Sequence, residues 1–350
     1  MADAARGLTR RVMDELVEPL CVSALNLPAA QASGAVFLRV LRDALFGTRG
    51  GADLLLPRTD LGALLPEAAT RWLAGRGAAV RLGHRVQQLA AEGTGWRVDG
   101  TRFDRVVLAL PPAEAVRLLR PLAALHPPVA EWIALAQALE FTAIATAYAF
   151  APQGAALPAP MLALRGGADD GPAQFVFDRG RLGGPAGLLA FVVSHAGGEA
   201  EAIEAAVLAQ AARQLPWLGV LTPLRTVVER RATFACTPAL RRPPQALAAG
   251  LAAAGDHVEG PYPATLEGAV RSGLQSIPGT HRGGAGHIAE RTDARSESLS
   301  HIPPTLPPRS AHRSSARDAY PLISADGRVP ADRPPRHAAD RDAARGARRG

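Results

Sequence analysis

The residues best suited to chemistry lie between positions 254 and 274, in the order Ala-Gly-Asp-His-Val-Glu-Gly-Pro-Tyr-Pro-Ala-Thr-Leu-Glu-Gly-Ala-Val-Arg-Ser-Gly-Leu. This pattern predicts a strand end, a loop with glycine and proline, and a helix that begins near Ala264 or Thr265. Gly255 permits a sharp turn, and the free N–H groups of the helix are expected to point toward the Asp256 carboxylate. The geometry suits a polar ligand. An ordinary strand, loop and helix is the alternative, which a Gly-Asp pair alone does not exclude.

Small residues give the predicted helix a smooth surface. Ala269 and Gly273 are four positions apart, as are Gly268 and Ser272, so each pair shares one side of the helix. Side chains of this size let the backbone approach a flat or bulky group closely. The full segment therefore favours a binding role.

The charge of the chain excludes several function classes. The formal net charge is +7, and residues 278–350 alone contain 13 arginines and 8 acidic residues. The preceding part is nearly neutral and has no basic stripe interleaved with aromatic residues, so we expect no nucleic-acid binding there. All 39 basic residues are arginines. A lysine Schiff base and a phosphate-loop nucleotidase are excluded, because both require a lysine amine.

Cysteine and histidine spacing predicts no metal site. Cys21 and Cys236 lie far apart with no CxxC pair, as in a reduced cytosolic protein, and the histidines before residue 278 have no ligand spacing. No segment reaches the roughly 18 apolar residues that span a bilayer. The first 20 residues do not resemble a signal peptide. We therefore expect a cytoplasmic protein.

Three segments predict the helices and the apolar surface before residue 77. Apolar stripes over residues 12–46 predict helices around Pro28, and a further helix runs from about Pro66 to the Gly75 region. Between them, residues 53–61 place three leucines beside aspartates and an arginine. An apolar surface edged by polar groups is one interpretation, and a solvent-facing Arg–Asp pair is the other.

Strand patterns dominate the rest of the chain. Strands are expected at 79–82, 85–89, 96–100, 105–110, 141–150, 174–177, 188–194 and 226–234, with a helix over 199–215. The run at 105–110 is apolar throughout, as in a strand buried on both faces of a sheet. The composition indicates an α/β (α+β) fold with a mixed sheet.

The segment Tyr-Pro-Ala-Thr-Leu-Glu-Gly-Ala-Val-Arg-Ser-Gly at 262–273 is similar to the C-terminal flavin-contacting motif of the FAD-dependent amine oxidase and phytoene desaturase superfamily. It most resembles the squalene-associated branch, as do residues 19–26, 40–46 and 53–61. The resemblance covers about residues 10–276 and implies a flavin amine oxidase-like fold. The implied organisation is 1–76 helical part of the substrate domain, 77–120 FAD-domain strands, 121–245 substrate domain, 246–277 C-terminal FAD-binding segment and 278–350 disordered Pro/Arg-rich tail.

The resemblance also implies particular site residues. FAD is expected to contact Val86 through backbone atoms, and the C-terminal motif through Gly255, Asp256, Pro263, Ala264, Thr265 and Leu266. A long apolar isoprenoid is expected against Leu54, Leu55, Leu56 and Arg58. The candidate proton donors are Asp53, Asp60 and Tyr262. An apolar substrate also implies peripheral contact with a membrane.

The implied reaction is reductive and belongs to squalene and hopanoid synthesis. Reduced flavin delivers a hydride to an allylic carbon of hydroxysqualene as the hydroxyl leaves as water. A carotenoid-type desaturase, working in the oxidising direction, is the alternative.

Members of this class open with a strand, a GxGxxG turn and a helix. The nearest match here, at 284–289, follows no apolar strand. We therefore expect a chain without its first βαβ unit that binds FAD weakly alone. A separately encoded N-terminal piece is the implied partner, and a catalytically inactive fragment is a further alternative.

Overall fold

The computed structural model describes residues 7–47, 50–167 and 170–277. The segment expected to form a tail, at 278–350, lies outside these residues, as does the glycine match at 284–289. Everything described below belongs to one compact unit.

The amino-terminal part is helical, as expected, and a loop divides it. Helix α1 (Arg10–Val12) continues through a π-helical turn (Met13–Val17) into α2 (Glu18–Leu25), and α3 spans Gly34–Leu45. The apolar stripes expected over residues 12–46 are partly wrong here, because Leu38 in α3 and Phe46 directly after it are exposed and Phe37 is buried. Phe37 packs into a core cluster with Cys21.

The end of α2 is fixed by a buried asparagine. Asn26 has a φ of 54°, in the left-handed region that asparagine tolerates better than most residues. Its side-chain amide donates to the hydroxyls of Thr142 and Thr233, at 2.8 and 3.2 Å. Its side-chain oxygen accepts the N–H of His195. One side chain thus joins the helical part to two strands of a sheet and to the residue that follows a third strand.

The described residues form three sheets. The first is an antiparallel meander of β1 (Leu89–Glu92), β2 (Gly95–Val98) and β3 (Thr101–Phe103). The second has the order β10-β11-β4, from β4 (Val106–Leu108), β10 (Ala246–Ala248) and β11 (Leu251–Ala253), with β4 and β11 parallel. The third has the order β6-β7-β8-β5-β9, from β5 (Phe141–Phe150), β6 (Met161–Ala163), β7 (Phe175–Asp178), β8 (Leu188–Ser194) and β9 (Thr222–Phe234).

The other helices connect or cover these sheets. They are α4 (Leu61–Leu64), α5 (Pro66–Ala74), α6 (Pro112–Leu119), α7 (Pro127–Gln137), α8 (Ala200–Gln214) and α9 (Leu266–Gln275), with 3₁₀ turns at Arg120–Leu122 and Pro216–Leu218. One core cluster packs α6 and α7, through Trp132, against β4 and β11. A second packs α8 against the five-stranded sheet. The expected strands and helices after residue 140 are confirmed to within a few residues.

Two expected strands are wrong. Residues 79–82 form no strand, and of the run at 85–89 only Leu89 belongs to one. The carboxylate of Asp99 accepts the N–H groups of Gln87 and Gln88, at 2.9 and 2.8 Å. A side chain thus supplies the acceptor that a neighbouring strand provides in a sheet.

Strand β4 is shorter and more open than expected. It covers three residues of the 105–110 run, and Val107 is 43% exposed although the pattern predicts burial on both faces. Among the described strands β4 pairs only with β11, so it forms an edge of its sheet. A run of apolar residues predicts that a strand tends to be buried. It does not predict whether the strand has a neighbouring strand on both sides.

Candidate functional site

A cleft of about 430 Å³ opens where β4 and β11 end side by side. The two strands are parallel and in register, and the N–H of Ala254 continues the pairing by donating to the carbonyl of Leu108 at 3.0 Å. Ligands of open α/β sheets bind outside the carboxyl ends of the strands. We call this the strand-end cleft, and it is lined by Ala109, Leu110, Pro111, Pro112, Phe141, Arg231, Ala232, Thr233, Ala254, Gly255, Asp256, His257, Ala269 and Gly273.

Ser272 fixes the turn at the bottom of the cleft. Its hydroxyl accepts the N–H of Gly255 at 2.7 Å, and its single proton lies between the carbonyls of Gly255, at 3.0 Å, and Ala269, at 2.9 Å. The buried serine thus supplies the acceptor for the backbone N–H of Gly255, two residues after the strand. The turn and helix α9 are held as one unit.

His257 packs closely against this turn. A Cβ at Gly255 would lie 2.5 Å from the imidazole, so only glycine fits there. His257 is 2% exposed, its ring meets Trp132 edge-on, and its Nδ1 is 3.7 Å from a carboxylate oxygen of Asp256. Its Nε2 has no hydrogen-bond partner among the described residues. A buried nitrogen without a partner costs free energy that a ligand group can recover.

The small residues of α9 line the cleft in part. Ala269 and Gly273 both face it, and a methyl group at Gly273 would meet open space. Gly268 has a different reason to be small, because a Cβ there would lie 2.0 Å from the carbonyl of Tyr262. The side of α9 with Ala269 and Gly273 therefore faces the strand-end cleft, and the side with Gly268 faces the loop that contains Tyr262.

The start of α9 differs from the expected anion-receiving arrangement. The helix begins at Leu266, and the Thr265 hydroxyl accepts the N–H of Gly268 at 3.0 Å. The N–H of Ala264 approaches the backbone carbonyl of Asp256 at 3.4 Å and not its carboxylate. Thr265 caps its own helix, so the expectation that free N–H groups point at the Asp256 carboxylate is wrong at these positions.

The predicted cofactor residues separate into two groups. Gly255 and Asp256 line the strand-end cleft, whereas Thr265 and the exposed Leu266 line neither cleft described here. Val86 lies outside both clefts as well. It packs against the core, and its carbonyl accepts a hydrogen bond from Arg117 at 2.8 Å.

The predicted substrate and catalytic residues before residue 61 lie on the surface. Leu54 and Leu55 are 70% and 94% exposed, and neither lines a described cleft. Asp60 caps α4 by accepting the N–H of Ala63 at 3.0 Å, which gives its carboxylate a structural partner. The same exposed segment contains Asp53, Leu56 and Arg58, of which Leu56 is partly buried.

Tyr262 is the predicted catalytic residue nearest to the cleft in sequence and is already engaged. Its hydroxyl donates to Asp43 at 3.0 Å, and its ring lies beneath Arg271, 5.0 Å from the guanidinium carbon. Hydrogen bonds from Arg42 and then from Tyr262 lower the pKa of Asp43. These contacts tie the loop before α9 to α3.

Pro263 and Ala264 lie beside a second cleft. Pro263 lines it together with Arg39 and Arg242, and Ala264 packs against Phe234 in a small core cluster. Neither arginine was recognised from the sequence. They are about 200 positions apart, and no local spacing links them.

The fold and the cleft define a class of protein, namely an α/β protein with a cleft at the carboxyl ends of two parallel strands. Residues 4–276 match the family described as flavin containing amine oxidoreductase, and the chain belongs to this family. The predicted family, fold class and FAD cofactor are thereby confirmed.

Two curated relatives and one solved structure resemble the chain. The hydroxysqualene dehydroxylase of Rhodopseudomonas palustris is 32% identical over 279 residues, which cover 74% of this chain and 60% of that protein. The hydroxysqualene dehydroxylase of Sinorhizobium fredii is 30% identical, with the same coverage. A crystal structure of an oxidoreductase from Methanosarcina mazei superposes with a TM-score of 0.53 at 16% identity, covering 78% of this chain and 67% of that one, which shows the fold. The chain spans about 60% of the length of the curated relatives.

The residues of the strand-end cleft fit part of a flavin nucleotide. The cleft volume is within the range of small-molecule sites. Open space at Gly273 leaves a flat wall, Asp256 supplies acceptors for hydroxyl groups, and His257 supplies a nitrogen without a partner. Within the described residues no group of three or more His, Cys, Asp and Glu side chains is placed to hold a metal ion.

Proposed function

We propose that this protein acts as an FAD-dependent oxidoreductase on a long isoprenoid and removes the hydroxyl group of hydroxysqualene reductively. The support is twofold: the identity to two hydroxysqualene dehydroxylases, and a cleft whose residues fit a flavin. The single observation that carries the proposal is the strand-end cleft, in which Ser272 holds Gly255 in place and Gly273 leaves an open wall.

The cleft residues bind and orient a ligand. Gly255, Asp256 and Gly273 would hold part of a flavin here, and a reduced flavin would supply the hydride for the allylic carbon while the hydroxyl takes up a proton and leaves as water. Asp256 accepts hydrogen bonds from ligand hydroxyl groups, and Leu110, Pro111 and Pro112 give the cleft an apolar wall against which a ligand is oriented. Tyr262, Asp53 and Asp60 stay as candidate donors of the proton.

We propose further that full FAD binding needs a strand–GxGxxG–helix segment. The edge of β4, which pairs with no other described strand than β11 and has Val107 exposed, supports this proposal, because an unpaired parallel edge strand offers hydrogen bonds to a further strand.

Flavin absorbance near the visible maximum tests the binding proposal. The chain is purified alone, and also after co-expression with the part of the Rhodopseudomonas palustris relative that it does not match. We expect little flavin in the first preparation and a stoichiometric yellow complex in the second. A yellow protein without the added piece contradicts the requirement for it, and colourless protein in both preparations contradicts the FAD proposal.

Product analysis tests the reaction. The yellow complex is reduced and incubated with hydroxysqualene, and separately oxidised and incubated with phytoene. We expect squalene from the first mixture and no change in the second. Desaturated product from phytoene favours the carotenoid-type alternative, and no product from either substrate favours an inactive fragment.

We also propose peripheral membrane contact through the segment 54–65. Leu54, Leu55, Leu61 and Leu65 are all more than half exposed there, and an apolar patch on a surface marks an interaction site. Among the described helices none is both long and apolar enough to cross a bilayer.

A further inference from the structure

A second cleft, of about 300 Å³, opens beside the loop that leads to α9. We call it the arginine cleft. It is lined by Ser33, Ala35, Val36, Arg39, Cys236, Thr237, Ala239, Leu240, Arg242, Gly260, Pro261 and Pro263. Two of these residues are cationic, and none of the described residues in the lining is acidic. The site shares no lining residue with the strand-end cleft.

Arg242 brings a partly buried positive charge that forms no direct ion pair with a described carboxylate. Its guanidinium donates to the backbone carbonyls of Asp256 and Val258, at 3.3 and 2.6 Å, and to that of Gly260. Burial lowers the pKa of Arg242, and the nearby Cys236, Glu259 and Asp256 act in the opposite direction. Backbone carbonyl groups are neutral, so they orient the guanidinium without neutralising its positive charge. An anion is therefore favoured beside it.

Arg39 adds a second charge on the opposite element. It forms no hydrogen bond or ion pair with any described residue, and its guanidinium carbon lies 5.9 Å from the centre of the Tyr262 ring. Asp43, one turn further along α3, is bound by Arg42 at 2.8 Å and by the Tyr262 hydroxyl at 3.0 Å. The Arg39 side chain therefore keeps its donors for a ligand.

The start of α3 strengthens the positive potential of the same cleft. Ser33 precedes this 12-residue helix and makes no side-chain capping bond, and Ala35 and Val36 of the first turn line the cleft. The N-terminal end of a helix carries a partial positive charge. This partial charge adds to the positive potential of the two arginines, and the two arginines remain the basis of the site.

The remaining wall of the arginine cleft is apolar. Val36, Leu240, Pro261 and Pro263 contribute it, with Ala239 between them. A fully hydrated inorganic ion makes no use of such a wall, because apolar surface gains free energy only when it covers apolar surface. The lining thus suits a compact anionic group attached to an apolar chain.

We propose that the arginine cleft binds a phosphate monoester carried on a short apolar chain. A phosphate dianion matches the two guanidinium charges, whereas a carboxylate leaves one of them unbalanced. The proposal needs neither FAD nor any redox step, so it is independent of the function proposed above and can be tested separately.

Calorimetric titration of the full 350-residue chain at physiological salt tests the proposal. The probes are hexyl phosphate, inorganic phosphate and hexanol. We expect hexyl phosphate to bind with one-to-one stoichiometry and at least about tenfold more tightly than inorganic phosphate, since burial of about two methylenes already gives that factor. Hexanol is expected to give no measurable binding.

Two arginine variants locate the binding. Arg39→Gln removes a charge that forms no hydrogen bond or ion pair with any described residue and is expected to weaken hexyl phosphate binding about tenfold. Arg105→Gln makes the same change at an exposed residue outside both clefts and is expected to leave the affinity unchanged. Residues 278–350, with their 13 arginines, are common to both variants.

Three outcomes overturn the proposal. Equal affinity in Arg39→Gln and in the unmodified chain shows that the anion binds elsewhere. Equal binding of inorganic phosphate and hexyl phosphate shows that the apolar wall takes no part. Binding of hexanol that matches hexyl phosphate shows that the charges take no part.

Discussion

The hydroxyl of Ser272 accepts the backbone N–H of Gly255 at 2.7 Å and lies 3.0 Å from its carbonyl, and so ties helix α9 to the turn after strand β11. The two residues are 17 positions apart in sequence. The contact holds helix α9, which contributes Ala269 and Gly273 to the strand-end cleft, against the turn that contributes Gly255. The first prediction tests this contact directly.

Replacing Ser272 by alanine is expected to lower the free energy of unfolding by about 1–3 kcal/mol, because the buried N–H of Gly255 loses its acceptor. Urea denaturation measures the loss. Ser276→Ala is the matched control, since Ser276 donates only to the Gly273 carbonyl at the end of the same helix. An equal loss in both variants contradicts a special role for Ser272.

Two glycine variants on α9 are expected to act in opposite directions. Gly268→Ala forces a methyl group against the Tyr262 carbonyl, so the protein is expected to lose stability. Gly273→Ala meets open space and is expected to gain up to about 1 kcal/mol from the better helix propensity of alanine.

The same Gly273→Ala variant also probes the cofactor proposal. Its methyl group enters the strand-end cleft, so the flavin content of the co-expressed complex is expected to fall although the protein is more stable. Flavin absorbance per protein measures this. Unchanged flavin content indicates that the helix wall lies away from the cofactor.

Asn26 is expected to tolerate glycine better than alanine. Both substitutions remove the bonds to Thr142, Thr233 and His195, but alanine is also strained at the left-handed φ of 54°. We expect Asn26→Gly to be about 1 kcal/mol more stable than Asn26→Ala, with both below the unmodified chain. Thermal denaturation ranks the three proteins, and alanine above glycine contradicts the left-handed assignment.

Stability is expected to fall as the pH rises from about 9 to 11. Burial raises the pKa of both Cys21 and Cys236 from 9.0 to about 11, so the folded state retains protons that the unfolded state releases. The stabilisation is complete below pH 9 and is lost as the pH passes through the folded pKa.

Denaturation series at several pH values measure this dependence. The sequence has no lysine and only three tyrosines, so few other side chains titrate in this window. The double variant Cys21→Ala/Cys236→Ala is less stable overall and is expected to show a shallower fall with pH. An unchanged slope assigns the effect to other groups.

The exposed leucines of residues 54–65 predict binding to lipid vesicles. Leu54→Ser combined with Leu55→Ser is expected to reduce co-sedimentation with vesicles about tenfold or more, since each buried leucine contributes about 1.5–3 kcal/mol. Leu125→Ser, at a leucine that is 74% exposed elsewhere on the surface, serves as the control. Equal effects in both proteins, or no binding by the unmodified chain, contradict the membrane proposal.

Local patterns predicted much of the secondary structure. Alternating apolar residues placed the long strands after residue 140, and Pro66 marked the start of α5. The errors fell at 79–82 and 85–88, where the residues favour a strand but no described neighbour pairs with them. A strand needs a partner for its hydrogen bonds, and a sequence pattern contains no information on whether that partner is present.

The sequence by itself was enough to predict the flavin-dependent family and the segment 254–274 that borders the strand-end cleft, because both predictions rest on residues that are adjacent in the chain. Only the tertiary structure decided which of these residues face the cleft: it turned Gly255 and Gly273 toward it and used Thr265 as a helix cap. It also brought Arg39 to Arg242 across about 200 positions. Side-chain direction and long-range contact depend on how helices and strands pack, and no local spacing specifies that packing.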